Sequence, residues 1–186
     1  MEQYLPKLIH SDQTGFVNGG YIGQNIRLLS DIMEFLDSKE CQGILLFVDF
    51  EKAFDTLELS FMSKTLEVFN FGNKFKKWFT VLYNSVQSSV VNGGFTTNYF
   101  EITRGVHQGC PLSHSLFILV VELLALKIRQ NRNCEGIYLP NQEVKISQFA
   151  DDTTIITNNT DSLKSHLQTI EWFGTISGLK LNEKKD

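Results

Sequence analysis

Five apolar residues in a row, Ile44-Leu45-Leu46-Phe47-Val48, end at a carboxylate, Asp49. A run this short cannot span a bilayer, which takes about 20 residues. It reads as a buried strand. A carboxylate at the end of such a strand costs free energy unless it is solvated, paired or bound to a metal. Much later in the chain, residues 144–149 and 153–157 form two β-rich runs around a tight turn at Ala150-Asp151-Asp152. Each acidic site alone is ordinary, because strand-end and turn aspartates are most often solvated. If the strands are neighbours in one sheet, however, the acids converge. Their hard oxygen atoms then suit Mg²⁺ or Mn²⁺ rather than zinc.

Between these acids the elements alternate, which points to one compact unit of mixed helix and strand. Ile26, Leu29, Ile32, Met33 and Leu36 fall at helical spacing and predict an amphipathic helix over 24–38. A second helix is expected over 57–69, closed by Gly72. Asn73 is positioned to cap a third, with Phe75, Trp78, Phe79 and Leu82 on its apolar face. Asn92-Gly93-Gly94 marks a hairpin. Pro111 suits the first turn of a helix reaching residue 129. A last helix over 162–176 should stop at Gly178.

Composition narrows the class without naming a partner. With 42% apolar and 20% charged residues in 186, the chain is an ordinary globular one. Its net charge of −4 does not by itself suggest nucleic acid, since phosphate binding rewards Lys and Arg. Three scattered cysteines, Cys41, Cys110 and Cys134, form no CxxC pair and predict reduced thiols. The N-terminus has no apolar signal core. The expectation is a soluble intracellular protein with no membrane contact; nucleus and cytoplasm are not distinguished, nor is the oligomeric state.

The combination of motifs carries more than any one of them. Val48-Asp49-Phe50-Glu51-Lys52-Ala53-Phe54-Asp55 resembles motif A of reverse transcriptases. Arg104-Gly105-Val106-His107-Gln108-Gly109-Cys110-Pro111-Leu112-Ser113 resembles motif B, and Phe149-Ala150-Asp151-Asp152 resembles motif C. Gly178-Leu179-Lys180-Leu181-Asn182 with Lys184-Lys185 is similar to motif D. Gln13-Thr14-Gly15-Phe16 and Tyr21-Ile22-Gly23-Gln24-Asn25-Ile26 are similar to the fingers segment of non-LTR (LINE-type) retrotransposon polymerases. The set occurs in the family's order and covers nearly the whole chain.

The resemblance implies an α+β right-hand polymerase of fingers and palm, with an antiparallel palm sheet packed on helices and no thumb. Residues 1–43 would be partial fingers and 44–56 palm with motif A. Residues 57–111 would connect fingers and palm and hold the motif B loop; 112–186 would be palm with the motif B helix and motifs C and D. The implied activity is RNA-directed DNA polymerisation with an RNA template, a DNA primer and dNTPs. Two Mg²⁺ or Mn²⁺ ions would activate the primer 3′-hydroxyl and stabilise the leaving pyrophosphate. Asp49, Asp151 and Asp152 would hold them, with the Phe50 carbonyl as a further ligand.

By the same resemblance, Phe54 is the aromatic gate that clashes with a ribose 2′-hydroxyl. Gln108 and Gly109 lie near the incoming nucleotide, Arg104 contacts template or phosphate, and Lys185 (or Lys184, one register away) protonates pyrophosphate. Asp55 is expected to cap the following helix. The chain departs from its relatives at Gly20, where an Arg is common, leaving Arg27 or Lys7 as substitutes. It also departs at His107, usually basic, and His114, usually proline. Ending directly after motif D, it is expected to show little synthesis alone. The competing readings are an RNA-dependent RNA polymerase palm, disfavoured by Phe54 and Phe149-Ala150-Asp151-Asp152, and a non-catalytic remnant.

Overall fold

The computed structural model describes residue 1 and residues 3–182. The helices are α1 (Leu5–Leu8), α2 (Ile22–Lys39), α3 (Ala53–Thr56), α4 (Leu59–Val68), α5 (Asn73–Tyr83), α6 (Ser113–Gln130) and α7 (Thr160–Ser177). The strands that build the centre are β1 (Ile44–Val48), β8 (Ile146–Phe149) and β9 (Asp152–Thr157), in the order β1-β9-β8, all antiparallel. Short two-stranded ribbons surround them. These are β2 (Gln87–Ser88) with β5 (Phe100–Glu101), β3 (Val91–Asn92) with β4 (Phe95–Thr96), and β6 (Ile137–Leu139) with β7 (Gln142–Val144).

Strand alternation explains the continuous apolar run. Leu46 and Val48 of β1, with Ile155 of β9, face a large core built on α6. Leu45 and Ile156 face the other way, into a smaller cluster with Ile32 of α2 and Ile137 and Val144 of β6–β7. Both faces are covered, so both sets are apolar. Phe47 is the exception: it shares the α2 face but is 70% exposed. Over residues 116–121 α6 is apolar around its whole circumference, and Leu116 to Val121, Leu124, Ala125 and Ile128 are all sealed from solvent. A helix of that kind belongs at the centre of a fold, and it packs against α4, α7 and β8. Among the described residues no helix is long and apolar enough to cross a membrane.

The α+β class with an antiparallel sheet on helices is the observed one. Several local expectations are corrected. The helix expected over 57–69 is α4, which starts two residues later because Leu57 and Glu58 are extended, and the short α3 ahead of it has no counterpart in the sequence reading. Asp55 lies inside α3 and caps nothing; α4 is entered through Glu58 without a side-chain cap. Asn73 is the first residue of α5, and the cap position belongs to Gly72. Pro111 precedes α6, which begins at Ser113. It occupies the second position of a turn closed by Ser113 N–H donating to the Cys110 carbonyl at 3.1 Å, where its fixed φ is favourable. The strand expected over 144–149 is interrupted at Lys145, and the ribbon β6–β7 was unforeseen. α7 ends at Gly178, φ +86°, as expected, but starts two residues early at Thr160, where the Asn159 side chain caps it by accepting from Ser162 N–H at 2.7 Å.

Candidate active site

Register decides where the acids meet. Val48 of β1 lies opposite Thr153 of β9, so the next rung sets Asp49 across from Asp152. Phe149 pairs with Asp152, leaving Ala150 and Asp151 as a two-residue hairpin turn. Ala150 has φ +58° and Asp151 does not share the positive value. Two-residue turns need such a residue to match the twist of the flanking strands. Asp49 and Asp151 are half-buried and Asp152 is exposed. Residues 180–182 run antiparallel past the end of β1. Glu51 N–H donates to the Lys180 carbonyl, and Asn182 N–H donates to the Asp49 carbonyl, both at 2.9 Å. The Asn182 side chain also donates to Asp49 Oδ2 at 2.9 Å. Phe50 faces inward with its ring 4% exposed. A cleft of about 190 Å³ opens beside Asp152, lined by Ile26, Leu29, Phe47 and Phe149.

Motif B is laid directly on motif A. Gly105 N–H donates to the Leu57 carbonyl and Val106 N–H to the Phe54 carbonyl, each at 2.7 Å. A Cβ at Gly105 would sit 2.8 Å from the Asp55 carbonyl oxygen, so this contact requires glycine. Gln108 and Gly109 form the tip of the following turn, closed by Cys110 N–H on the His107 carbonyl. Gly109 has φ +87° with open space around it; the turn geometry, not crowding, calls for glycine there. Gln108 Nε2 reaches Asp55 Oδ1 at 3.5 Å. Asp55 thus faces the motif B tip instead of a helix end. His107 stacks on Tyr83 with ring centroids 4.8 Å apart.

Phe54 sits in an aromatic cluster. Its ring stacks on Phe117 of α6 at 4.4 Å and meets Phe16 and His114 edge-on at 6.4 and 5.9 Å. Phe16 and His114 are themselves 4.2 Å apart. Arg104 lies 3.8 Å from Glu58 and is more than half exposed. Arg27 is engaged by Asp31 at 2.7 Å along α2. At Gly20 a Cβ would lie 2.2 Å from the Thr14 carbonyl oxygen. This backbone therefore has no room for any side chain at Gly20. Lys184 and Lys185 lie outside the described residues.

Among the described residues no three His, Cys, Asp or Glu side chains form a ready-made metal cluster. That is compatible with Mg²⁺, which keeps several waters and takes one or two carboxylates together with substrate phosphates. The donors at this sheet end are hard oxygens throughout, which fits such an ion.

The family model described as reverse transcriptase (RNA-dependent DNA polymerase) matches residues 1–186. The chain belongs to the reverse transcriptase family. This reverse transcriptase chain is 28% identical over 185 residues to the transposon TX1 149 kDa protein of Xenopus laevis. It is 30% identical over 179 residues to the Pol polyprotein of a type-1 retrotransposable element R2 of Popillia japonica. Those alignments cover 100% and 95% of the chain but only 14% and 25% of the two relatives. In structure it is similar to telomerase from Candida tropicalis bound to a fragment of telomeric RNA, with a TM-score of 0.67 and 15% identity. That match covers 95% of this reverse transcriptase chain and 30% of the telomerase chain. At that identity the likeness speaks for the fold alone.

Proposed function

We propose that this chain is the nucleotidyl-transfer centre of an RNA-directed DNA polymerase, extending a DNA primer on an RNA template with dNTPs. What supports this reading above all is the β1–β9 register, which sets Asp49 opposite Asp152 beside the Asp151 turn. Reverse transcriptases generally use divalent metal ions. Here Asp49, Asp151, Asp152 and the Phe50 carbonyl would hold two Mg²⁺ or Mn²⁺ ions, which supply Lewis acidity at the 3′-hydroxyl and the leaving pyrophosphate. The chain's own groups do the rest. Asn182 orients the Asp49 carboxylate. Phe54, backed by Phe117, presents a ring at the sugar and excludes ribonucleotides by clash. Gln108 and Gly109 form the nucleotide-facing tip, and Arg104 gives a positive contact for template or phosphate. Lys185 donates a proton to the departing pyrophosphate. Residues 1–43 act as fingers, 44–56 and 112–186 as palm, and 57–111 as their connection.

The test is incorporation of a single dNTP onto a primer annealed to RNA, in Mg²⁺, by the chain and by its Asp49→Asn and Asp151→Asn variants. The expected result is template-directed addition that each substitution reduces about a thousandfold, equivalent to ~4 kcal/mol of barrier. Addition that survives both substitutions would overturn the assignment.

A further inference from the structure

The hairpin turn that carries Asp151 is a poor turn by its own sequence. A positive φ at the first central position of a two-residue turn is where glycine is favoured. Here the residue is Ala150, at φ +58° and 5% exposed. The next central residue is Asp151 itself. Something outside the hairpin must hold this peptide in a conformation that alanine avoids.

The neighbouring loop supplies it. Gln13 is 2% exposed, and its side-chain amide grips both polar groups of Ala150. Nε2 donates to the Ala150 carbonyl at 3.0 Å, and Oε1 accepts from Ala150 N–H at 2.9 Å. Oε1 also accepts from Gly15 N–H at 2.7 Å, which fixes the amide's own orientation. The loop backbone is tied to the same hairpin. Thr14 N–H donates to the Gln148 carbonyl, and Gln148 N–H donates to the Asp12 carbonyl, at 3.0 and 2.8 Å. The approach is close enough that a Cβ on Gly15 would meet Ala150 N at 2.1 Å. Asn25 of α2 adds a further brace, donating to the Gln148 carbonyl at 2.9 Å.

We propose that Gln13 is a positioning residue for the candidate metal site: its amide holds the Ala150 peptide, and so fixes the direction in which Asp151 presents its carboxylate. This rests on the reading of Asp49 and Asp151 as metal-binding acids. The physical logic is one of substitution. A hairpin with glycine at this turn would need no clamp, whereas alanine is kept at positive φ by two hydrogen bonds from a residue 137 positions earlier. Releasing them lets Ala150 relax toward negative φ, which swings the Asp151 side chain away from Asp49.

The experiment titrates Mn²⁺ into the chain, with the free ion read by electron paramagnetic resonance. The proteins are the unaltered chain, Asp151→Asn, Gln13→Met, Ala150→Gly and the double variant Gln13→Met/Ala150→Gly, with thermal melts in parallel. Gln13→Met keeps length and bulk but can make neither bond. It is expected to weaken Asp151-dependent Mn²⁺ binding about 10-fold, the usual scale for losing a group that orients a ligand. Ala150→Gly in the same chain should restore most of that loss, because glycine holds the turn unaided. A purely structural Gln13 would lower the melting temperature and leave Mn²⁺ affinity of the folded protein unchanged. That result, or a double variant no better than Gln13→Met, would overturn the positioning role alone. Absence of Asp151-dependent binding in the unaltered chain would overturn the metal-site reading and this role with it. Should Gln13→Met fail to fold, Gln13→Glu carries the same comparison, since it keeps the acceptor and loses the donor.

Discussion

Asn182 holds Asp49 twice, with its backbone N–H on the Asp49 carbonyl and its side-chain Nδ2 on Oδ2, both at 2.9 Å. A residue 133 positions later therefore sets the rotation of the first candidate ligand. Asn182→Ala is expected to weaken divalent-cation binding about 10-fold in a protein that still folds. Asn182→Asp should lose less than Asn182→Ala, because it removes the donor but adds a negative charge that itself attracts the cation. Calorimetric titration with Mn²⁺ checks both, and equal affinity in all three proteins would remove Asn182 from the site.

Phe54 owes its position to Phe117, whose ring stacks beneath it at 4.4 Å. Phe54→Val should raise ribonucleotide use relative to deoxyribonucleotides by about 10–100-fold, the range a small steric change in a pocket commands. Competition between the matched nucleotides in single-addition assays gives the ratio. A ratio that stays put would show that the ring is core packing and not a gate.

Gly15 and Gly19 offer a paired test of packing against backbone freedom. Gly15→Ala forces a methyl group onto Ala150 N, backbone that cannot move aside, and is expected to cost about 2–3 kcal/mol or more. Gly19→Ala meets nothing but must hold φ +83°, at a cost of about 1–2 kcal/mol. Urea denaturation of both variants should rank them in that order.

His166 of α7 is 0% exposed, and neither ring nitrogen has a hydrogen-bond partner among the described residues. Burial holds its pKa below the ordinary histidine value, with the Lys145 charge acting in the same direction and Glu143 opposing. The unfolded chain then binds a proton more readily than the folded one. Stability is complete above the unfolded pKa of about 6.5 and falls as pH drops from there toward the folded value. Glu122, raised chiefly by burial and opposed by Arg129, works in the opposite sense, with stability lost as pH climbs from the unfolded carboxylate value to the folded one. The parent melting temperature is expected to fall between pH ~7.5 and ~5.5, and His166→Leu should remove that loss. The difference between variant and parent isolates His166, since Glu122 is common to both. Parallel curves for the two proteins would rule His166 out as the source.

The sequence carried the local parts of this molecule further than the long-range ones. β1 coincides with the run Ile44–Val48, and α7 stops at Gly178, because a buried strand and a left-handed cap each leave a local signature. The ribbon β6–β7 left too little. Its strands are three residues each, too short to show alternation, although Pro140-Asn141 between them is a turn signal that could have exposed it. At the break, Lys145 Nζ reaches the Asn131 carbonyl at 3.0 Å, a contact that no local pattern announces. The same limit applies at the site. Asp49, Asp151 and Asp152 stand out by chemistry and position, whereas Gln13 and Asn182 belong to two of the motifs without any role that the sequence alone assigns. Nothing near them in sequence says that Gln13 turns inward to Ala150, or that Asn182 lies beside Asp49.

β1 lies at one edge of its three-stranded sheet, and its ladder partner there is β9, about a hundred residues later. On a ribosome adding roughly 5–20 residues per second, β1 emerges and then waits on the order of 5–20 s for that partner. During the interval its edge is unpaired and its apolar side chains have no sheet to join, the condition in which strands associate with other chains. The candidate site is thus completed only once β9 has emerged. Chaperone occupancy of nascent chains should peak between the emergence of β1 and that of β9.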